Sequence, residues 1–204
     1  MITIVDYGAG NIGSVEKAFQ YLGQQVRLAT TAKEVEEADV LVLPGVGAIG
    51  DAMENLTKGG LAEAVVAHIK QNKPFLGICL GLQMLFEESE EGGLVKGLGV
   101  FPGKVCKFSD DMGLKIPQIG WNQLLMKEDS RLFKGIPANA DAYFVHSFYL
   151  KAENPDLVAA RCDYGILFDA AIEQGNIFAT QFHPEKSGTV GLQILKNFVE
   201  VAEQ

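Results

Sequence analysis

The stretch Phe75-Leu76-Gly77-Ile78-Cys79-Leu80-Gly81-Leu82-Gln83 constrains this chain more than any other. The apolar run Phe75 to Ile78 reads as a strand buried on both faces. Leucine-rich sequence follows at once, and the spacing predicts an amphipathic helix as far as Phe86 or Glu87. Between them lies Gly77-Ile78-Cys79-Leu80-Gly81, a Gly-x-Cys-x-Gly corner. Such a strand-to-helix corner raises its central side chain above the sheet as a nucleophile elbow. The glycines are a steric requirement, because a side chain at either position would crowd the turn. The corner also places the sulfur at a helix N-terminus, which favours thiolate, and leaves the Leu80 N–H free to face an oxyanion. Cys79 could instead be a small buried hydrophobe, the common role of a free cysteine. The rest of the chain decides between the two.

The elements around the corner alternate. Ile2–Asp6 is a strand, followed by a helix with Val15, Ala18, Phe19 and Leu22 on one face. Residues 25–30 form a second strand, 34–38 a short helical connection, and Val40–Leu43 a third, fully buried strand. Helices are predicted over 49–57 and 60–72, with His68 half-exposed on the second. This β-α-β-α order predicts a mostly parallel sheet flanked by helices, an α/β fold. After the acidic run Glu87–Glu91, read as solvated surface, the pattern turns to short strands: 98–101, 104–108, 115–125, 142–150, 157–162, 166–173 and 176–181. The second half therefore adds antiparallel strands. A final helix spans about 187–202. The 204 residues read as a single domain, 1–204.

Charge and cysteine usage narrow the partners. A net charge of −9 argues against a nucleic-acid surface. No apolar run is long enough to cross a membrane, and Asp6 interrupts the only apolar start. Three widely spaced cysteines suggest a reducing compartment, and the chain is expected to be cytoplasmic.

Two glycine loops sit at strand ends, where open α/β sheets place function. Gly8-x-Gly10-x-x-Gly13 fits a dinucleotide fingerprint, but the second strand lacks the terminal acid that reading requires. Pro44-Gly45-Val46-Gly47 follows the third strand and lets backbone N–H groups approach a ligand; a plain turn is the alternative.

His183-Pro184-Glu185 supplies the remaining chemistry. Residues two apart in an extended segment face the same way, and Pro184 favours extension before it. A carboxylate beside an imidazole fixes its tautomer, and such a pair would activate Cys79 for acyl transfer through a thioester. A metal site would need further ligands at suitable spacing, so no metal is expected. The Pro44–Gly47 loop is placed to complete an oxyanion hole with Leu80.

With these residues together, the chain resembles the class I (Cys-His-Glu triad) glutamine amidotransferases. Within that class, Asp6-Tyr7-Gly8-Ala9-Gly10-Asn11 and Pro44-Gly45-Val46-Gly47 are similar to motifs of the glutaminase subunit of imidazole glycerol phosphate synthase. So are Ile116-Pro117-Gln118-Ile119-Gly120-Trp121-Asn122 and Tyr143-Phe144-Val145-His146-Ser147-Phe148-Tyr149. The resemblance covers essentially the whole chain. It implies the flavodoxin-like amidotransferase fold, catalysis by Cys79, His183 and Glu185, and an oxyanion hole from Val46, Gly47 and Leu80. Glutamine would be bound by Gly45, Gln83, Ser147 and Phe148, with His146 structural. Asn11, Trp121, Tyr143 and Lys186 would face a (β/α)8-barrel cyclase in a heterodimer, although Trp121 could simply be core. No cofactor is implied. Ammonia from glutamine would pass to the cyclase, which forms imidazole glycerol phosphate and an aminoimidazole carboxamide ribotide. The alternatives are an anthranilate-synthase-type subunit, a paralogue serving surface-sugar amidation, a regulatory scaffold, or a cysteine peptidase.

Overall fold

The computed structural model describes residues 1–204. The first half is built from strands β1 (Ile2–Val5), β2 (Val26–Ala29), β3 (Val40–Gly45) and β4 (Phe75–Cys79). Helices α1 (Ile12–Tyr21), α2 (Ala32–Glu36), α3 (Ile49–Lys58), α4 (Leu61–Lys70) and the short α5 (Leu80–Gln83) connect and follow them. Strands β5 (Phe86–Ser89), β6 (Val95–Lys96), β7 (Phe101–Lys107), β8 (Gln118–Gln123), β9 (Leu125–Met126) and β10 (Asp141–His146) come next. Strands β11 (Phe148–Ala152), β12 (Val158–Asp163), β13 (Leu167–Gln174) and β14 (Ile177–Thr180) precede helix α6 (Gly188–Ala202).

The sheet runs β2-β1-β3-β4-β14-β13-β11-β7-β5-β6, with β12 pairing β13 and β9. From β2 to β14 every pairing is parallel; β14–β13, β13–β11 and β11–β7 are antiparallel. A separate antiparallel ribbon pairs β8 with β10. The central strands are apolar on both faces because both are covered. Val40 and Val42 pack into one core while Leu41 and Leu43 pack into the other, the period-2 alternation of a strand. No helix is long and apolar enough to cross a membrane.

Three expectations are corrected. The helix after Cys79 stops at Gln83 and does not reach Phe86. Leu80, Leu82, Met84, Leu85 and Phe86 are all buried, so this segment has no solvated helical face. Backbone N–H groups of Leu98, Val100 and Gly99 take the carbonyls of Met84, Leu85 and Phe86, which a longer helix would have used. His68 is buried, 2% exposed, with Nε2 3.0 Å from the Pro74 carbonyl. The acidic run is only partly free: Glu87 accepts from Gly103 N, Glu90 from Lys107 N, and Glu91 from Ile49 N at the start of α3.

Candidate active site

Strands β3, β4 and β14 end on the same side of the sheet, and the loops leaving them meet there. Cys79 ends β4 at φ 56°, ψ −106°, the left-handed side of the map that non-glycine residues avoid. The corner is held by close packing. A Cβ on Gly81 would overlap the Leu43 carbonyl oxygen, and one on Gly77 would lie 2.8 Å from the Gly81 oxygen. Neither neighbour is a flexible side chain, so both positions demand glycine. Leu80 opens α5, and an initial helical N–H has no partner within its own helix.

His183 follows β14 and is tied down through its backbone. Its N–H donates to Tyr143 O at 3.0 Å, and its carbonyl accepts from Ser187 Oγ at 2.7 Å. Ser187 Oγ in turn accepts from Tyr143 N at 2.9 Å, which joins β10, His183 and the start of α6. Nδ1 of His183 lies 2.8 Å from Glu185 Oε1, with both side chains at most 2% exposed. The pairing was expected from an extended segment. Pro184–Lys186 is instead a 3-10 turn, so the carboxylate reaches back around the turn to the ring.

Nε2 of His183 is buried with no closed hydrogen bond. Burial works against the imidazolium, but the nearby Cys79 sulfur and the Glu185 carboxylate outweigh it and raise His183 to about 9. The arrangement keeps the His183 ring charged at neutral pH beside the cysteine sulfur.

A cavity of about 270 Å³ opens over these groups. Val46, Gly47, Leu80, Gln83, Phe148 and Lys186 line it together with Cys79 and His183. Gly47 has φ +90°, and Val46 is 39% exposed, so this loop has room to move. Gly45 and Ser147 do not line the cavity. Gly45 is buried beneath the loop, and Ser147 offers its carbonyl to Phe108 N. The Gln83 amide donates to Phe148 O at 3.1 Å and to Gln181 Oε1 at 2.9 Å, so both of its N–H groups are engaged within the protein.

Four residues of the site were not singled out from sequence. Gln181 Nε2 contacts Cys79 Sγ at 3.7 Å and so links Gln83 to the nucleophile. Glu91 lines the cavity as its one carboxylate, steadied by Ile49 N–H at 2.9 Å. Tyr7 and Ser187 are buried beside the loop and the histidine. Gln181 adjoins the histidine motif in sequence, which was the only available signal; Glu91 sat hidden in an acidic run. His146 is buried, and its Nδ1 lies 2.7 Å from Phe148 O. A carbonyl only accepts, so Nδ1 carries the proton, and burial holds the ring neutral by lowering it to about 4. That supports the structural reading of His146.

The expected partner residues lie nearby. Trp121 and Tyr143 face each other across β8 and β10, with ring centroids 6.0 Å apart. Trp121 is 55% exposed, which overturns the alternative that it is core. Asn11 precedes α1 and accepts from Ser14 Oγ, while Lys186 is exposed at the cavity rim. Glu34, the first acid after β2, is used in the capping box of α2.

The family description "Glutamine amidotransferase class-I" matches residues 3–202. The chain belongs to that family. Curated relatives narrow the placement within it. Over 203 residues the chain is 50% identical to the imidazole glycerol phosphate synthase subunit HisH of Syntrophotalea carbinolica, covering 97% of this chain and 98% of that one. It is 46% identical to the chloroplastic imidazole glycerol phosphate synthase hisHF of Arabidopsis thaliana, covering 98% of this chain but 34% of that one. A solved glutamine amidotransferase superposes with TM-score 0.78 at 20% identity, covering all of both chains. At that identity the likeness speaks for the amidotransferase fold alone.

Proposed function

We propose that this amidotransferase hydrolyses glutamine to glutamate and ammonia as the glutaminase subunit of imidazole glycerol phosphate synthase, in histidine biosynthesis. The observation that carries the chemistry is the buried 2.8 Å contact between His183 Nδ1 and Glu185, with His183 and Cys79 lining one cavity. The placement in the synthase is supported by 50% identity to HisH over nearly the full length of both chains.

In this mechanism the Cys79 thiolate attacks the side-chain amide carbon, and the carbonyl oxygen takes up the electron pair. The N–H of Leu80 and the Val46–Gly47 segment hold that oxyanion. Removing one such donor typically costs ~10²–10³ in rate. His183, protonated at Nε2, gives its proton to the leaving nitrogen, and ammonia departs as the thioester forms. The neutral ring then takes a proton from water, which attacks the thioester and releases glutamate and the thiolate. Glu185 accepts from Nδ1–H and keeps Nε2 aimed at the sulfur.

The free amino acid is a zwitterion, and the cavity offers Glu91 for its ammonium group. Backbone at Phe148, which lines the cavity, receives the α-carboxylate. Gln83, with its amide engaged by Phe148 and Gln181, shapes the pocket wall. Asn11, Trp121, Tyr143 and Lys186 form the face toward a barrel-shaped cyclase, which accepts the ammonia in a heterodimer. The exposed Trp121, packed against half-buried Tyr143, supports that face, because aromatics are enriched at interface centres. The matched region is about a third of the Arabidopsis relative named for the synthase itself, which accords with a second component.

The test is glutamate release from glutamine by the purified chain, alone and with a cyclase subunit plus its nucleotide ligand, against Cys79→Ala. Stimulation that vanishes in the mutant supports the proposal. Cys79-dependent turnover that no cyclase stimulates would remove the synthase from it, and Cys79-independent turnover would remove the triad.

A further inference from the structure

Tyr7, the second residue after β1, is 6% exposed and reaches across the sheet edge to β3. Its hydroxyl donates to the Pro44 carbonyl at 3.0 Å. The next residue, Gly45, is pinched. A Cβ there would lie 2.7 Å from the Tyr7 hydroxyl on one side and 2.7 Å from Leu80 Cβ on the other. Gly45 is also the register partner of Cys79 between β3 and β4. A single column therefore runs from the Tyr7 hydroxyl through Gly45 to Leu80, at the level of the nucleophile.

We infer that Tyr7 is a positioning residue that clamps the fixed end of the oxyanion loop. A peptide unit is planar, so a carbonyl held at Pro44 also fixes where the Gly45 N–H points. The clamp ends at that peptide. Gly47 at φ +90° has no heavy atom within 4 Å of where a Cβ would stand, and Val46 is 39% exposed. Rotation in the loop is confined to the peptides after Gly45, with Tyr7 as the anchor.

The phenol cannot serve as a proton carrier. Burial first, and then the negative charge of Cys79, push its ionisation far above the usual tyrosine value. It keeps its proton at neutral pH, and so remains a donor to Pro44. Its effect on chemistry passes through the loop, with no contact to the reacting atoms.

The inference rests on Val46–Gly47 being the oxyanion loop, and Tyr7→Phe tests it while leaving the ring packing in place. Two readouts are needed. Hydrogen exchange at the amides of Gly45 and Val46 is expected to quicken severalfold, with the β1 and β4 amides unchanged. In the complex with its cyclase, kcat for glutamine is expected to fall roughly tenfold, since small misplacements of a catalytic donor carry costs of that order or larger. KM is expected to stay within about twofold, because an oxyanion contact forms only in the transition state. Alkylation of Cys79 by iodoacetamide, which builds no oxyanion, is expected to keep its rate. Unchanged exchange overturns the clamp. Faster exchange with unchanged kcat overturns its catalytic consequence, and an equal fall in alkylation would move the role of Tyr7 to the thiol. Were wild type inactive on glutamine, the glutaminase proposal would fail by itself, and exchange alone would still decide the clamp.

Discussion

His183 Nδ1 stands 2.8 Å from Glu185 Oε1, and both side chains are sealed from water although only Pro184 separates them in sequence. The contact is local in the chain, yet it depends on distant groups. Tyr143 and Ser187 hold the His183 backbone, and Cys79 comes from a strand about a hundred residues earlier. The pair is the part of the site most open to direct test.

Glu185→Gln removes the charge that orients and stabilises the imidazolium while keeping similar volume. Glutamine turnover in the complex is expected to fall by roughly 10²-fold or more, the scale of positioned acid–base catalysis. A decrease below fivefold would argue against an orienting role.

The raised pKa of His183, about 9, sets the alkaline behaviour. The imidazolium is needed to protonate the leaving ammonia, so kcat/KM should fall as pH rises through about 9. In Glu185→Gln this limb should move to lower pH, because one of the groups that raise the value is weakened. The linkage has the same sign. The folded pKa exceeds the unfolded one, so this stabilisation is complete below about 6.5 and is lost as pH rises through about 9. Denaturant titrations at pH 7 and 10 measure it.

His146 behaves oppositely. Its folded pKa is lowered to about 4 by burial, so the unfolded chain takes up a proton first as pH falls. Stability is expected to drop between about pH 6.5 and 4, by up to about 3 kcal/mol from this residue. His68, also lowered mainly by burial, adds in the same direction. His146→Gln should flatten the decline seen in urea titrations across that window.

Gly47→Ala and Gly81→Ala separate the two jobs of glycine at the site. Gly47 has open space but φ +90°, so alanine there should cost about 1–3 kcal/mol and leave a folded protein. Its stimulated kcat is expected to fall ~10²-fold through the displaced oxyanion donor. Gly81→Ala would drive a methyl into the Leu43 carbonyl, and loss of folded protein on expression is the expected result. A Gly47→Ala enzyme with full stimulated turnover would sink the loop assignment.

Trp121→Ala removes an exposed ring that packs edge-on against Tyr143. Thermal stability of the isolated chain should change by no more than about 0.5 kcal/mol, as for ordinary surface positions. Affinity for the cyclase, measured by calorimetry, is expected to weaken by about 1 kcal/mol or more. Undiminished affinity would take Trp121 out of the interface.

Local chemistry made much of the molecule legible. Strands β1, β3 and β4 are short apolar runs covered on both faces, and their character does not depend on their neighbours. The Gly77–Gly81 corner was legible because the steric demand lies within five residues. The length of α5 was not, since Leu98–Phe101, more than a dozen residues away, take the carbonyls of Met84–Phe86 that a longer helix would use. His68 looked half-exposed on a helical wheel, but the Pro74 carbonyl it meets belongs to the approach to the next strand. Glu91 was lost in an acidic run because charge patterning cannot tell a carboxylate facing water from one facing a cavity.

The sequence by itself determined which residues could do chemistry: a cysteine on a glycine corner, a histidine and a glutamate two apart, and a glycine loop after a buried strand. These are consequences of covalent geometry and side-chain character over a few residues. Only the tertiary structure decided that Cys79, His183 and the Val46–Gly47 loop share one cavity, that Tyr7 grips the Pro44 carbonyl, and that Gln181 lies against the sulfur. Each of those facts depends on parallel pairing of β1, β3, β4 and β14, in which β14 lies directly beside β4 although β5 to β13 separate them in the chain. Strand order follows from how two apolar faces are buried at once, a property of the whole packed core that no short segment carries.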